Sequence, residues 1–348
     1  MRPFRHLWGV MRILFLLVCS IGSMAQTKQP IEVIAFGSCS RQSADDQMWA
    51  EVLRHKPQVW IWGGDNIYGD SHDLAVLKGK YDQQKNRADY QALRSTAAIT
   101  GTWDDHDFGI NDGGKFFAQK NESQMLAADF LDLPANDPVR KQKGLYHSRT
   151  FGPRGRQIKV INLDTRYFRD TVNKEYFVDS LTRSRTYRYL VNPTGDILGE
   201  AQWTWLEQEL TDEQPQLVII NSSIQVISDQ HRFEKWANFP MARQRLLNLL
   251  ARAKSKRLLI ISGDRHIAEF SELTVPGLPY PLVDFTSSGL THTWSTPWEE
   301  ANPYRSGPLV IQKNFGIIRL NWQGTKPRVT LEIRGHEGSL YATKTLVF

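Results

Sequence analysis

The stretch VWIWGGDNIYGD, residues 59–70, passes from four apolar residues through two glycines into a loop holding Asp65, Asn66, Tyr68 and Asp70. Four consecutive apolar residues stopped by glycine read as a strand buried on both faces. Ligand-type side chains then sit just past its carboxyl end, where open α/β sheets place their binding sites. The same arrangement recurs on both sides. Residues 31–36 (IEVIAF) end in GSCS, and AAITGTW ends in DDHDFGINDG, residues 104–113. Further on, the apolar runs 158–161, 217–220 and 258–261 end in NLDTRYFRD, NSSIQ and SGDRH. These loops place Cys39, Asp65, Asp105, Asn221 and Asp264 in equivalent positions at strand ends.

Between the strands, residues 46–55, 199–210 and 241–253 carry apolar side chains at three- and four-residue spacing, the period of helices packed by one face. After Asp264 the pattern turns to strands alone, in AEFSELTV, PLVDFTSS, FGIIRLNW, RVTLEIRG and LYATKTLVF, and these last segments read as a second sheet packed on the first. No Pro/Ser-rich linker, repeat or low-complexity tract divides the chain. The expected fold class is α/β, one domain over residues 26–348 with two sheets and outer helices.

At 348 residues, 41% hydrophobic and 23% charged, the chain has the composition of a globular protein. Residues 1–25 combine a basic start, a short apolar core and Ser23-Met24-Ala25 as a small-x-small cleavage signal, a secretory signal peptide cleaved near Ala25. The expectation is a secreted or periplasmic protein without a membrane span. Val18 precedes Cys19 where a lipoprotein signal wants a small residue, which disfavours a lipid anchor. Cleavage removes Arg2, Arg5 and Arg12 and no acid, lowering the formal charge from +6 to +3. With no basic block interleaved with aromatics, no specific nucleic-acid partner is expected.

Cleavage also leaves Cys39 as the single cysteine. In an oxidising compartment it is buried filler, an intermolecular bridge, a reactive thiol or a metal ligand. The four aspartates of the 104–113 loop pose a related question, because crowded carboxylates repel unless water, basic partners or a cation neutralise them. A cation site with mixed donors accounts for both the lone thiol and the converging acids. Asp65 and Tyr68 lie three apart in a glycine-rich loop, close enough to face one ion. Asp264 and His266 are two apart, so on an extended segment both point to one side. One carboxylate shared between two ions is the arrangement of a two-metal hydrolase.

Taken together, GSCS, GGDNIYGD, TWDDHDFGINDGG, NLDTRYFRD, WANFPMARQRLLNLL and SGDRHIAEF resemble the alkaline phosphatase D (PhoD-like) branch of the metallophosphoesterases, in order over residues 31–290. The resemblance implies a four-layer αββα sandwich of two mixed β-sheets flanked by helices. It implies Asp65 as a bridging carboxylate, with Cys39, Tyr68 and His266 on a first metal, Fe3+. Asp105 and Asp264 fall to a second metal, Ca2+, with Mg2+, Mn2+ or Zn2+ as alternatives, and Asn221 or Ser222 completes its shell. His106 is implied beside the leaving oxygen. Arg265 and Arg166, adjacent to these residues, are candidates to pair with phosphate oxygens.

Plainer readings stand beside these. Cys39 and Tyr68 suit core packing individually. Asp104 and Asp107 fit metal ligation or the orientation of neighbours equally well, and Asp164 with Arg166 fits a structural ion pair. Asn111 and Asp112 suit a turn. Trp203, Trp205 and Trp236 read as packing, whereas Trp294 and Trp298 suit the wall of a substrate pocket. Many relatives carry a β-rich domain ahead of these motifs, and GSCS begins too soon after Ala25 to leave room for one. The C-terminal strands offer no obvious helix to cover the site. The resulting expectation is a secreted metal-dependent phosphoric ester hydrolase acting on a small phosphate ester through a water activated by two metals. The alternatives are an extracellular nuclease on the same site and an inactive protein that binds phosphate esters.

Overall fold

A computed structural model describes residues 29–180, 183–255, 257–294 and 300–348. The signal-peptide reading, Cys19 and Trp298 lie outside these residues. In chain order the strands are β1 (Val33–Gly37), β2 (Val59–Gly63), β3 (Ala98–Thr102), β4 (His147–Phe151), β5 (Ile158–Asn162), β6 (Lys174–Val178), β7 (Arg185–Tyr189) and β8 (Leu217–Ser222). There follow β9 (Leu258–Ser262), β10 (Ala268–Leu273), β11 (Leu282–Ser287), β12 (Phe315–Gln323), β13 (Lys326–Arg334) and β14 (Leu340–Leu346). The helices are α1 (Trp49–Arg54), α2 (Leu74–Lys85), α3 (Ala88–Arg94), α4 (Asp105–Phe108), α5 (Lys120–Phe130), α6 (Gly199–Glu209) and α7 (Pro240–Arg252).

One sheet has the order β14-β13-β12-β1-β2-β3 and the other β10-β11-β9-β8-β5-β4. In the second, a parallel centre (β11-β9-β8-β5) is flanked on both sides by antiparallel strands, and in the first the parallel strands β1-β2-β3 form one half, with β3 at the edge and antiparallel strands continuing from β1. The expectation that the C-terminal strands form a sheet of their own is therefore corrected. The strands β12–β14 extend the first sheet from β1, and β10 and β11 extend the second from β9. Alternation in the sequence is blind to which neighbour satisfies a strand's backbone, and pairing is decided in space.

The four layers follow from strand period. In β2, Val59 and Ile61 join the interior between the sheets with Ile34, Phe36, Ile219, Ile261 and Phe285. Trp60 and Trp62 point the other way, onto Trp49, Tyr90 and Phe130 from α1, α3 and α5. On the far side α6 and α7 bury Trp203, Leu206, Leu246 and Leu250 against Ile220 and Ile260. Because β2 is buried on both faces, its residues read as an unbroken apolar run.

The helix expected at residues 46–55 is confined to α1, and α2, α3 and α5 escaped the periodicity reading. The α2 sequence LAVLKGKYDQQK buries only Leu77, Tyr81 and Gln84, too sparse a stripe to stand out. The hairpin β6-β7 is exposed along much of its length, so it lacks the alternation that marks a half-buried strand.

Candidate metal centre

The carboxyl ends of β1, β2, β3, β8 and β9 open onto one place. Hydrogen bonds pin their loops within a sheet and across the two: Ser40 N–H donates to the Asp65 carbonyl (2.9 Å) between neighbouring strands of the first sheet, and Thr102 Oγ1 to the Leu163 carbonyl (2.7 Å) across the sheets. Space is tight. A Cβ on Gly64, where φ is +92°, would come within 2.7 Å of Asp104 Cβ and 2.9 Å of Ser223 Cβ. At the strand ends Cys39, Asp65, Asp264 and His266 all take left-handed backbone, with φ of 62°, 50°, 68° and 55°. Each such residue costs roughly 1 kcal/mol or more and persists only when its surroundings hold it, a pattern typical of functional sites. The segment carrying Asp264 and His266 is thus a sharp turn and not extended.

That turn sends its two side chains into different groups. Donor atoms of Cys39, Asp65 and His266 lie within 4.8 Å of one another, as do those of Asp65, Asp105 and His106, and those of Asp65, Asp104, Asp105 and Asp264. Asp65 belongs to all three. Cys39 Sγ donates to Asp65 Oδ2 at 3.5 Å. The Tyr68 hydroxyl meets Nε2 of both His266 and His292 at 3.0 Å.

The electrostatics are those of anions forced together. Burial, together with Asp105, Asp104 and Asp107, pushes the Asp65 carboxyl well above the usual carboxylate range, against the pull of His106. Burial and Asp104 do the same to Asp264, and burial with Asp65 and Asp264 raises the Cys39 thiol. Burial takes Asp104 up to about 6 despite Arg166. Asp105 differs: although burial raises it, Arg166, His106 and the Asp112 N–H hold it down to about 2. Burial opposes charge on His106 too, yet Asp65 and the hydrogen bond to Asp70 (2.7 Å) push it up to about 11.

These residues fit cations. Among the described residues Asp65 Oδ1 and Asp104 Oδ2 are buried without a hydrogen-bond partner, which is costly for a carboxylate unless a positive charge faces it. A thiolate, an imidazole and a phenolate around Asp65 on one side, with carboxylates alone on the other, give two donor sets of different softness.

The remaining expected residues are placed as follows. Asn221 donates from Nδ2 to the Trp62 carbonyl (2.9 Å) and to Asn162 Oδ1 (2.8 Å), leaving its own Oδ1 buried and unpartnered. Asn162 in turn donates to His147 Nε2 (3.1 Å), and His147 Nδ1–H to the Leu145 carbonyl (2.8 Å), so the amide of Asn221 has one orientation. The Ser222 hydroxyl is engaged, donating to the Ile224 carbonyl and accepting from Trp236 Nε1. Asp107 lies outside the three groups, accepting from the backbone of Asn66 and Asp104.

Arg166 is fully buried, pairing through Nε with Asp104 and through Nη1 with Glu234 (2.9 Å). Asp164 accepts the Arg166 backbone N–H, not its guanidinium. Arg265 pairs with Glu300 and lies 3.8 Å from the centre of the Phe233 ring, itself stacked on Trp294. Asp112 does turn the chain, at φ 59°, but its carboxylate also accepts from Lys174 and Tyr189.

Three participants escaped the sequence reading. His292 follows the end of β11 as the other site residues follow their strands, which was the available signal. Asp70 stood inside GGDNIYGD without a role. Glu234 had no local signal, since its partners are remote in sequence, Arg166 at 68 positions away and, through a 3.2 Å contact, Arg169.

Comparison with known proteins bears on the family and the fold. The profile of a family described as PhoD-like phosphatase matches residues 34–305. Over 223 residues the chain is 24% identical to alkaline phosphatase D of Bacillus subtilis (strain 168), covering 58% of this chain and 36% of that protein. The chain thus spans about a third of the length of this curated relative. The solved structure of PhoD superposes with a TM-score of 0.70 at 17% identity, covering 91% of this chain and 69% of that one. The structure of GAP50, the anchor in the inner membrane complex of Plasmodium, superposes with a TM-score of 0.54 at 12% identity, covering 91% and 89%.

Proposed function

The chain belongs to the PhoD-like phosphatase family, and from that membership and its buried cluster of acids we propose that it is a metal-dependent hydrolase of phosphoric esters. The observation that carries this reading is Asp65, a single buried carboxylate common to three groups of ligand-type atoms. Cys39, Tyr68 and His266 with Asp65 would hold one cation, Fe3+, because the anionic thiolate and phenolate suit a highly charged ion. Asp65, Asp105 and Asp264, with Asn221 Oδ1, would hold a second, Ca2+ by their hardness, with Mg2+, Mn2+ or Zn2+ as alternatives. When bound, such a pair supplies Lewis acidity toward phosphoryl oxygens and lowers the pKa of water at the site.

The chain's own groups supply the rest. His106, whose Nδ1 is held by Asp70 at the rim, would give a proton to the departing alkoxide. Tyr68 and His292 orient His266 through the shared hydroxyl. Arg166 is committed to Asp104 and Glu234, so we assign it to holding Asp104 and not to binding substrate. A secreted, single-domain protein spanning residues 26–348 completes the proposal.

The test is metal content by elemental mass spectrometry on the purified mature chain, with p-nitrophenyl phosphate and bis-p-nitrophenyl phosphate assayed on the same sample. Two metals per chain and turnover of either ester support the reading, and the preferred ester gives the class. A metal-free chain that metals fail to activate would overturn it in favour of a binding protein on this scaffold.

A further inference from the structure

Arg41 differs from the two arginines just described. It lies two residues beyond Cys39, at the rim of the centre. Its N–H donates to Thr291 Oγ1 (2.9 Å), and the same hydroxyl donates to the Cys39 carbonyl (2.9 Å), tying the start of this loop to the segment that carries His292. The residue is exposed, and its guanidinium lies 5.4 Å from the centre of the Tyr68 ring. Among the described residues it has no carboxylate partner, although the site beside it is rich in carboxylates. The Tyr68 hydroxyl is directed to His266 and His292, so the guanidinium sits over the ring of a residue whose polar tip faces the centre.

An arginine lying over an aromatic ring is partly pre-organised, and its planar fork matches an oxyanion through two parallel hydrogen bonds. A transferred phosphoryl group would lie where Asp65 and its partners converge; Arg41 stands to the outside of that position. We propose that Arg41 is a specificity residue that binds a second oxyanion on the substrate, so that the enzyme favours phosphoric esters whose leaving group carries a carboxylate or a further phosphate. This rests on the esterase reading above.

The test uses the metal-loaded full chain and two non-hydrolysable probes, phenylphosphonate and 4-carboxyphenylphosphonate, in calorimetric titrations of the wild type, Arg41→Met and Arg41→Lys. The wild type is expected to bind the carboxylated probe about tenfold more tightly, the size of one charge-assisted contact at an exposed site. In Arg41→Met that preference should vanish, with the loss confined to the carboxylated probe, and Arg41→Lys should keep part of it. The absence of a preference in the wild type, its survival in Arg41→Met, or an equal loss for both probes would overturn the proposal. Turnover of p-nitrophenyl phosphate and of bis-p-nitrophenyl phosphate is read on the same wild-type sample. Selective binding without turnover would sink the esterase reading and leave the role of Arg41 standing.

Discussion

The backbone N–H of Asp112 donates to Oδ2 of Asp105 at 2.6 Å, across seven residues of chain. Asp112 is itself clamped, its carboxylate by Lys174 and Tyr189 of the β6-β7 hairpin and its carbonyl by Arg169 Nη2 at 2.6 Å. A residue that looks like ordinary turn chemistry therefore aims a candidate metal ligand.

Replacing Asp112 with alanine should loosen that aim without unfolding the chain. The clamp is lost and alanine pays for a backbone at φ 59°, which asparagine tolerates better. Turnover and second-metal content are expected to fall together by about tenfold or more, in the range seen when groups behind a metal ligand are removed. Asp112→Asn should fall less. Wild-type metal content and turnover in Asp112→Ala would remove Asp112 from the account.

Asp65 and Asp264 should separate in a metal assay. Asp65→Asn is expected to lose both cations, whereas Asp264→Asn should lose one and retain the cation held with Cys39 and His266. Without metal, Asp65→Asn should melt higher than the wild type by about 1–2 kcal/mol of stability, because it relieves repulsion among buried carboxylates. Equal metal loss in the two variants would refute the shared role of Asp65.

Arg166→Met should be a stability variant first. Removing one member of a buried ionic network strands the others, here Asp104 and Glu234, at a cost of about 3–5 kcal/mol. A fall in Tm of roughly 5–10 °C is expected for a chain of this size. An unchanged Tm with depressed turnover would instead assign the guanidinium to substrate.

His147 predicts a pH dependence remote from the centre. Burial, reinforced by Arg149, pushes it down to about 4 from an ordinary 6.5. Its folded pKa lies below its unfolded one, so its contribution is fully present above about 6.5 and is lost as pH falls toward 4. The loss reaches up to about 3 kcal/mol. Denaturant unfolding between pH 7 and pH 4 should therefore show a steeper decline for the wild type than for His147→Gln. Parallel curves would show that His147 does not titrate in this window.

The apolar runs at residues 59–62, 158–161, 217–220 and 258–261 disclosed buried strands, because doubly covered strands need unbroken apolar sequence. The loops after 59–62 and 258–261, with those after 31–36 and 97–103, brought forward Cys39, Asp65, Asp105, Asp264 and His266 as candidate ligands, because binding sites gather at strand ends and the local chain carries both the strand and its terminus. Sequence alone also supplied the family, through motifs whose order survives where overall identity is low.

Only the tertiary structure decided the partners. Glu234, Arg169, Arg166 and Asp104 form one ionic network, yet no local pattern joins them, since a charge finds its partner through space and long loops cost little to close. The same holds for the sheets: β12–β14 pair with β1 and β10–β11 with β9 because backbone hydrogen bonds carry no sequence label. Burial then decided the arginines, enclosing Arg166 and Arg265 with carboxylates and leaving Arg41 in solvent at the rim, an assignment set by how the sheets close over the loops.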